Sequence, residues 1–386
     1  MKYTKTTTIA IALIALIISS ASATIPSNSE GGHTEDMFNK TILGEWWYLN
    51  GNVKLISETG DKMNLAFYTT FAHQEDNRSF YTQDGTKISA MMAFDGFYYE
   101  NGSTSHHYDE AVIPRSMLED FIAIDTSYVD YTFPTEYSSG EIQATYSGSA
   151  EDGYKLIYDN GDIQMNLTFI PKVPVTIDDA LIPLRFISLE QAYGKLTGTI
   201  TINNTTYTII CSDAYIDHMM PMTDGYGWSM DSHGWEWIEV TTKNYQGIFY
   251  GVRSLEDGYD SYDYKHIILL DKRTGRILAD YTGDKVTVIE RNWVSEDDLG
   301  LIRPEKVIIT APGLKMKVNA SQVVQFDFSQ PSNSGFIDIM SFDGNNDASI
   351  KFMNKTQCGD GFFEYMVSNL GASMASTTTH TKNNNK

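Results

Sequence analysis

The sequence predicts an all-β protein of two antiparallel β-barrels packed together. Three observations predict it. Across residues 41–350 helical periodicity is almost absent, and short alternating runs are punctuated by Gly, Asn and Asp. Many of these runs come in pairs around tight-turn sequences. A double-indole strand, Gly44-Glu45-Trp46-Trp47-Tyr48-Leu49-Asn50-Gly51, is echoed at Gly234-Trp235-Glu236-Trp237-Ile238. Each indole brings a large apolar surface and an N–H that needs a partner. Such strands close or line the end of an apolar interior.

The hairpins follow in order. Runs 53–56 and 63–68 flank Thr59-Gly60-Asp61, and runs 155–158 and 163–169 flank Asp159-Asn160-Gly161-Asp162. Runs 196–202 and 206–210 flank Asn203-Asn204, and runs 266–270 and 276–279 flank a turn through Gly275. Residues 115–122 are expected to form one short helix. The first Trp strand is followed by a strand with Phe67-Tyr68, the second by one with Phe249-Tyr250, and each then meets an acidic turn. This order suggests a duplicated unit with a boundary near 175–215, around Pro171, Pro174 and Pro183. The expected organisation is a signal peptide over 1–23, a polar lead-in over 24–40, barrels over 41–195 and 196–371, and a disordered tail over 372–386.

The signal reading rests on Lys2 and Lys5, the apolar run Ile9–Ile18 and the small residues Ala21-Ser22-Ala23. It makes the expected location secreted or extracytoplasmic, with no transmembrane segment after cleavage. The 386 residues are 41% hydrophobic and 12% aromatic, enough for two cores. A net charge of −22 argues against nucleic acid and against an anionic membrane face as partners. Asn-x-Ser/Thr sequons at Asn39, Asn77, Asn101, Asn166, Asn203, Asn204, Asn319 and Asn354 make glycosylation possible. Export favours a disulfide between the two cysteines, Cys211 and Cys358, if the first and last strands of the second barrel carry them side by side. Two buried thiols are the competing reading.

The chain resembles the AttH / carotenoid hydratase (CrtC, hydroxyneurosporene synthase) family. The residues that carry the resemblance are Gly44-Glu45-Trp46-Trp47-Tyr48-x-Asn50-Gly51, Gly198-Thr199-Ile200, Tyr215-Ile216-Asp217-His218, Gly234-Trp235-Glu236-Trp237 and Gly359-Asp360-Gly361-Phe362-Phe363-Glu364. Together they span about 44–365. The resemblance implies two lipocalin-like barrels and, in some members, addition of water to an isoprenoid alkene. A fold of this kind hosts several functions, so the site must decide.

Asp217 and His218 are the candidate acid and base. Alkene hydration needs an acid to protonate carbon, aromatic faces for the cation and a base for the water. Adjacent strand residues point to opposite faces, which works against Asp217 and His218 sharing one pocket. The bland reading has Asp217 bonded to a turn and His218 packed. Candidate ligand-binding residues are Trp46, Trp47, Tyr68, Trp228, Trp235, Trp237, Tyr250 and Met220, with Arg253 as an anchor for an acidic head group. Two positions depart from the hydratase pattern: Met220 replaces a Trp and Val252 replaces an Asp. With Met219, Met222 and Met230 nearby, this favours a cup for an apolar, lipid- or isoprenoid-like ligand over a hydratase or isomerase. A non-catalytic envelope scaffold is the third reading. His106-His107 with Asp109 and Glu110 reads as a loop rather than a metal site. No metal or cofactor is expected.

Overall fold

The structure is a computed structural model; it describes residues 44–74, 88–124, 128–138, 140–173, 176–178, 186–221, 234–254, 261–296, 301–327 and 336–368. The expected signal peptide, lead-in and tail lie outside them. β-Branched and aromatic residues at period two put each chain segment into strands, and Gly, Asn and Asp turn them back. The first half contains β1 (Gly44–Ser57), β2 (Lys62–Gln74), β3 (Ile88–Tyr99), β4 (Thr104–Pro114), β5 (Ile122–Ile124), β6 (Val129–Thr132), β7 (Gln143–Ser149), β8 (Gly153–Asp159), β9 (Ile163–Pro171), β10 (Thr176–Asp178), β11 (Phe186–Ile202) and β12 (Thr205–Pro221). The second contains β13 (Gly234–Thr242), β14 (Tyr245–Arg253), β15 (Tyr262–Asp271), β16 (Ile277–Thr282), β17 (Thr287–Glu296), β18 (Leu301–Ala311), β19 (Leu314–Asn319), β20 (Gln322–Asp327), β21 (Phe336–Phe352) and β22 (Lys355–Ser368). The expected helix at 115–122 shrinks to a 3-10 turn, Arg115–Met117, and one α-turn, Leu118–Phe121.

Each half is one curled antiparallel sheet, a lipocalin-like half-barrel. The first runs β4-β3-β2-β1-β12-β11-β9-β8-β7-β6-β5, with β10 on β11. The second runs β16-β15-β14-β13-β22-β21-β19-β18-β17, with β20 on β21. The two orders match over nine strands, β4 through β7 against β16 through β17, while β6 and β5 extend the first sheet alone; the registers at the Trp strands match too. Trp46 lies opposite Met219 and Ala72; Trp235 lies opposite Met366 and Val252. The motif glycines have a packing reason. A Cβ at Gly198, Gly234 or Gly359 would lie 2.0, 2.1 and 2.0 Å from the carbonyl oxygens of Asn166, Met366 and Thr241.

The pairing corrects two expectations. β11 and β12 belong to the first sheet, so the sheets divide between Pro221 and Gly234, not at 195/196. Long-range pairing of β12 with β1 decides this, and nothing local in the sequence announces it. Cys211 therefore sits on the last strand of the first sheet and Cys358 on the last strand of the second; both are exposed and free. Aligning Met219 on Met366 places Cys211 on Cys358. The cysteines occupy one repeated position, rather than forming a bridge.

Period-two alternation sorts the side chains into three apolar layers. Trp47, Leu49 and Val53 point into the first half-barrel, Ile238 and Val240 into the second. The opposite faces of β1 and β13 meet at a seam. There Trp46 stacks on Trp235 at 5.7 Å, Tyr48 meets Trp237 edge-on at 5.2 Å, and Asn50 Nδ2 donates to Glu239 at 2.8 Å. Asn50 and Glu239 are 189 residues apart, as are the two ring pairs. Equivalent residues that touch one another imply a local two-fold axis through the seam. Asn52 to Asp360 (2.7 Å) and Lys272 to Asp213 (3.0 Å) tie the polar end of this interface.

Candidate functional site

The Trp-bearing end of β1 and β13 concentrates buried titratable groups. On the seam side, Trp46, Tyr68, Trp235, Trp237 and Tyr250, five of the residues proposed from the sequence to line a ligand, join one packed aromatic cluster. Tyr215 lies 5.1 Å from Trp237, and Tyr68 lies 5.9 Å from Tyr48 and 6.3 Å from Tyr98. Burial raises all three tyrosines of that last group well above the usual phenol range, so they act as neutral hydrogen-bonding groups.

Two carboxyls share this aromatic layer. Glu364, on β22, is pushed up to about 7 by burial of its carboxyl, against a hydrogen bond from Trp235 that lowers it. Asp338, on β21, is raised by burial and then by the charge of Glu364. Its Oδ1 has no hydrogen-bond partner among the described residues. A third seam carboxyl, Glu239, is pushed up to about 7 by burial, moderated by hydrogen bonds from Thr241 and Asn50. Two like charges cannot both ionise cheaply in such a place, so the Asp338–Glu364 pair retains a proton near neutrality. Sequence reasoning missed Asp338 and Glu239. The signal for Asp338 was present: Ile337 and Ile339 point into the second half-barrel, which turns Asp338 to the seam with Met340.

The expected Asp217–His218 unit is split. Asp217 faces the seam, where the Tyr215 hydroxyl donates to it at 3.0 Å. His218 faces the first half-barrel, where its Nε2 lies 2.6 Å from Glu45 Oε2. The other Glu45 oxygen lies 3.3 Å from His73 Nε2. Trp47 stacks on His218 at 4.7 Å and stands 6.3 Å from His73 and 5.7 Å from Tyr131. So Trp47, expected beside Trp46 at one ligand, belongs to the other side of the sheet. His73 carried no sequence signal, because only the β1–β2 register brings it to Glu45.

Arg253 does not offer a free anchor. Its guanidinium bonds to both Glu236 and Glu290 inside the second half-barrel and lies 4.4 Å over the Tyr262 ring. Val252 packs in the seam opposite Trp235. Met220 lies on β12, while Trp228, Met222, Met230 and His233 lie outside the described residues. Among the described residues, no group of three or more His, Cys, Asp or Glu is placed to hold a metal, and no helix is long and apolar enough to cross a membrane.

No protein-family model matches the sequence, and no curated protein matches it. Three solved structures are similar in fold. An AttH-type protein from Nitrosomonas europaea has a TM-score of 0.61 at 13% identity, over 88% of this chain and 94% of its own. CghA has a TM-score of 0.58 at 14% identity, over 90% and 94%. Kievitone hydratase from Nectria haematococca has a TM-score of 0.57 at 10% identity, over 91% and 95%. The resemblance carried by the tryptophan and glycine motifs thus extends over nearly the whole described chain, which shares the double lipocalin-like fold of AttH, CghA and kievitone hydratase.

Proposed function

We propose that the chain binds an apolar, isoprenoid-like molecule in the aromatic seam and transfers protons to it, as a hydratase or isomerase does. The observation that carries this reading is a buried carboxyl pair, Asp338 and Glu364, set among indole and phenol faces with Glu364 pushed up to about 7. A protonated carboxyl supplies a proton to an alkene carbon, and the alkene π pair forms the new C–H bond. Trp46, Trp235 and Trp237 offer faces to the resulting cation. Water then adds to the cation and returns its extra proton to the carboxylate; loss of a neighbouring C–H proton instead gives an isomer. The name of kievitone hydratase supports the reaction class. Asp338 and Glu364 stand in for the acid that Val252 lacks. This reading replaces Asp217 with His218 as the acid–base pair, since they face apart.

Incubation of the protein with geranylgeraniol in deuterated water tests the proposal. Deuterium is expected on carbon, with a rate at least about 100-fold lower in Glu364→Gln. Recovery of bound but unlabelled alcohol from wild type would reduce the function to binding.

A further inference from the structure

We propose that the mouth of the first half-barrel is a second site, separate from the seam, that recognises a hydroxyl group of water or of a small alcohol. Glu45, His73, His218 and Trp47 build it. Glu45 holds both imidazoles through their Nε2 atoms, at 3.3 Å for His73 and 2.6 Å for His218. A carboxylate oxygen accepts, so His73 carries its hydrogen on Nε2; in the tautomer with no second ring hydrogen, its Nδ1 is a lone-pair acceptor. That Nδ1 is buried and makes no hydrogen bond among the described residues. The Trp47 indole Nε1, a donor only, is buried in the same condition.

These two atoms are complementary. One accepts, the other donates, and their rings stand 6.3 Å apart. A buried polar atom without a partner costs about 1–3 kcal/mol, so two such atoms at one mouth call for an explanation. A hydroxyl answers both: its oxygen accepts from the indole and its hydrogen goes to the imidazole. A carbonyl would serve only Trp47, and an ammonium only His73. The aromatic rings of Tyr131 and Phe71, 5.4 Å apart behind Trp47, suit an apolar body on the hydroxyl. The equivalent place in the second half-barrel is filled by Arg253 with its carboxylates, so the fold itself does not demand the arrangement. The proposal is independent of the seam reaction, because Glu45 and Trp46 point to opposite sides of β1.

Nuclear magnetic resonance on 15N-labelled wild-type protein tests it, with benzyl alcohol and ethylbenzene as matched probes. Benzyl alcohol is expected to shift the Trp47 indole N–H and the His73 Nδ1 resonance, and ethylbenzene neither. In His73→Phe the indole response should vanish, while the Trp235 indole stays unmoved throughout. If water is the occupant, neither probe shifts the pair, but the Trp47 N–H shows a cross-peak to a long-lived water. Equal responses to both probes, or no response and no water cross-peak, overturns the proposal. The two-probe contrast is read on the unaltered protein, so it stands even if His73→Phe fails to fold.

Discussion

At the mouth of the second half-barrel a guanidinium sits between two carboxylates; at the mouth of the first, a carboxylate sits between two imidazoles. The positions correspond. With Trp46 aligned on Trp235, Arg253 takes the place of His73, Tyr365 that of His218 and Glu236 that of Trp47. In the second cluster burial pushes Glu236 up, against the pull of Arg253, and Glu290 is lowered by Arg253 in spite of its burial. Tyr262 adds a hydrogen bond to Glu236 at 2.8 Å. The cluster closes on itself. The first leaves Trp47 Nε1 and His73 Nδ1 buried without a hydrogen-bond partner among the described residues. Two copies of one scaffold thus hold a plug in one mouth and a recognition surface in the other. Duplication preserved the backbone and released the side chains.

Removing the corresponding side chain of each cluster, Arg253 or His73, should separate the two designs. Arg253→Met strands two buried carboxylates and should cost on the order of 3–5 kcal/mol in urea unfolding. His73→Gln should cost about 1–2 kcal/mol, because it removes one hydrogen bond and no full charge. Equal losses would end the distinction between plug and recognition surface.

The seam offers a third case, carboxyls that burial governs and that no salt bridge among the described residues pairs. Glu364 and Glu239 titrate near 7 when folded, against about 4.3 for an unfolded glutamate. Between those values the folded chain binds more protons, so stability falls as pH rises from about 4 to about 7 and levels above it. Each carboxyl contributes up to roughly 3–4 kcal/mol of that loss. Unfolding at pH 5 and pH 8 should show it, and Glu364→Gln should flatten the slope.

The two-fold contact is sharpened by a double-mutant cycle on Trp46→Ala and Trp235→Ala. A coupling of about 0.5–1.5 kcal/mol is expected for stacked rings. The smallest expected effect concerns the repeated cysteines. Reductant should leave the melting temperature unchanged, and a thiol reagent should label both Cys211 and Cys358 on the folded protein.

Much of the fold was legible because its signals are local. Asn203-Asn204 turns a hairpin since both residues adopt positive φ (50° and 63°). Period-two alternation also foretold that Asp217 and His218 would part. What stayed hidden was long-range. β12 could have opened the second barrel as well as closed the first, and only its pairing with β1 settled the boundary and removed the disulfide. Glu45 is a strand residue like any other until register brings His73 and His218 to its two oxygens.

The sequence by itself determined the strands, their turns, the duplicated tryptophan frame and the apolar faces. Each depends on residues a few positions apart, where alternation and turn geometry act directly. Tertiary structure alone decided which acids lost their solvent, which imidazoles gained a carboxylate and which arginine was already spent. Those outcomes depend on what lies across the sheet or the seam, and desolvation and hydrogen bonding are set by neighbours distant in the chain.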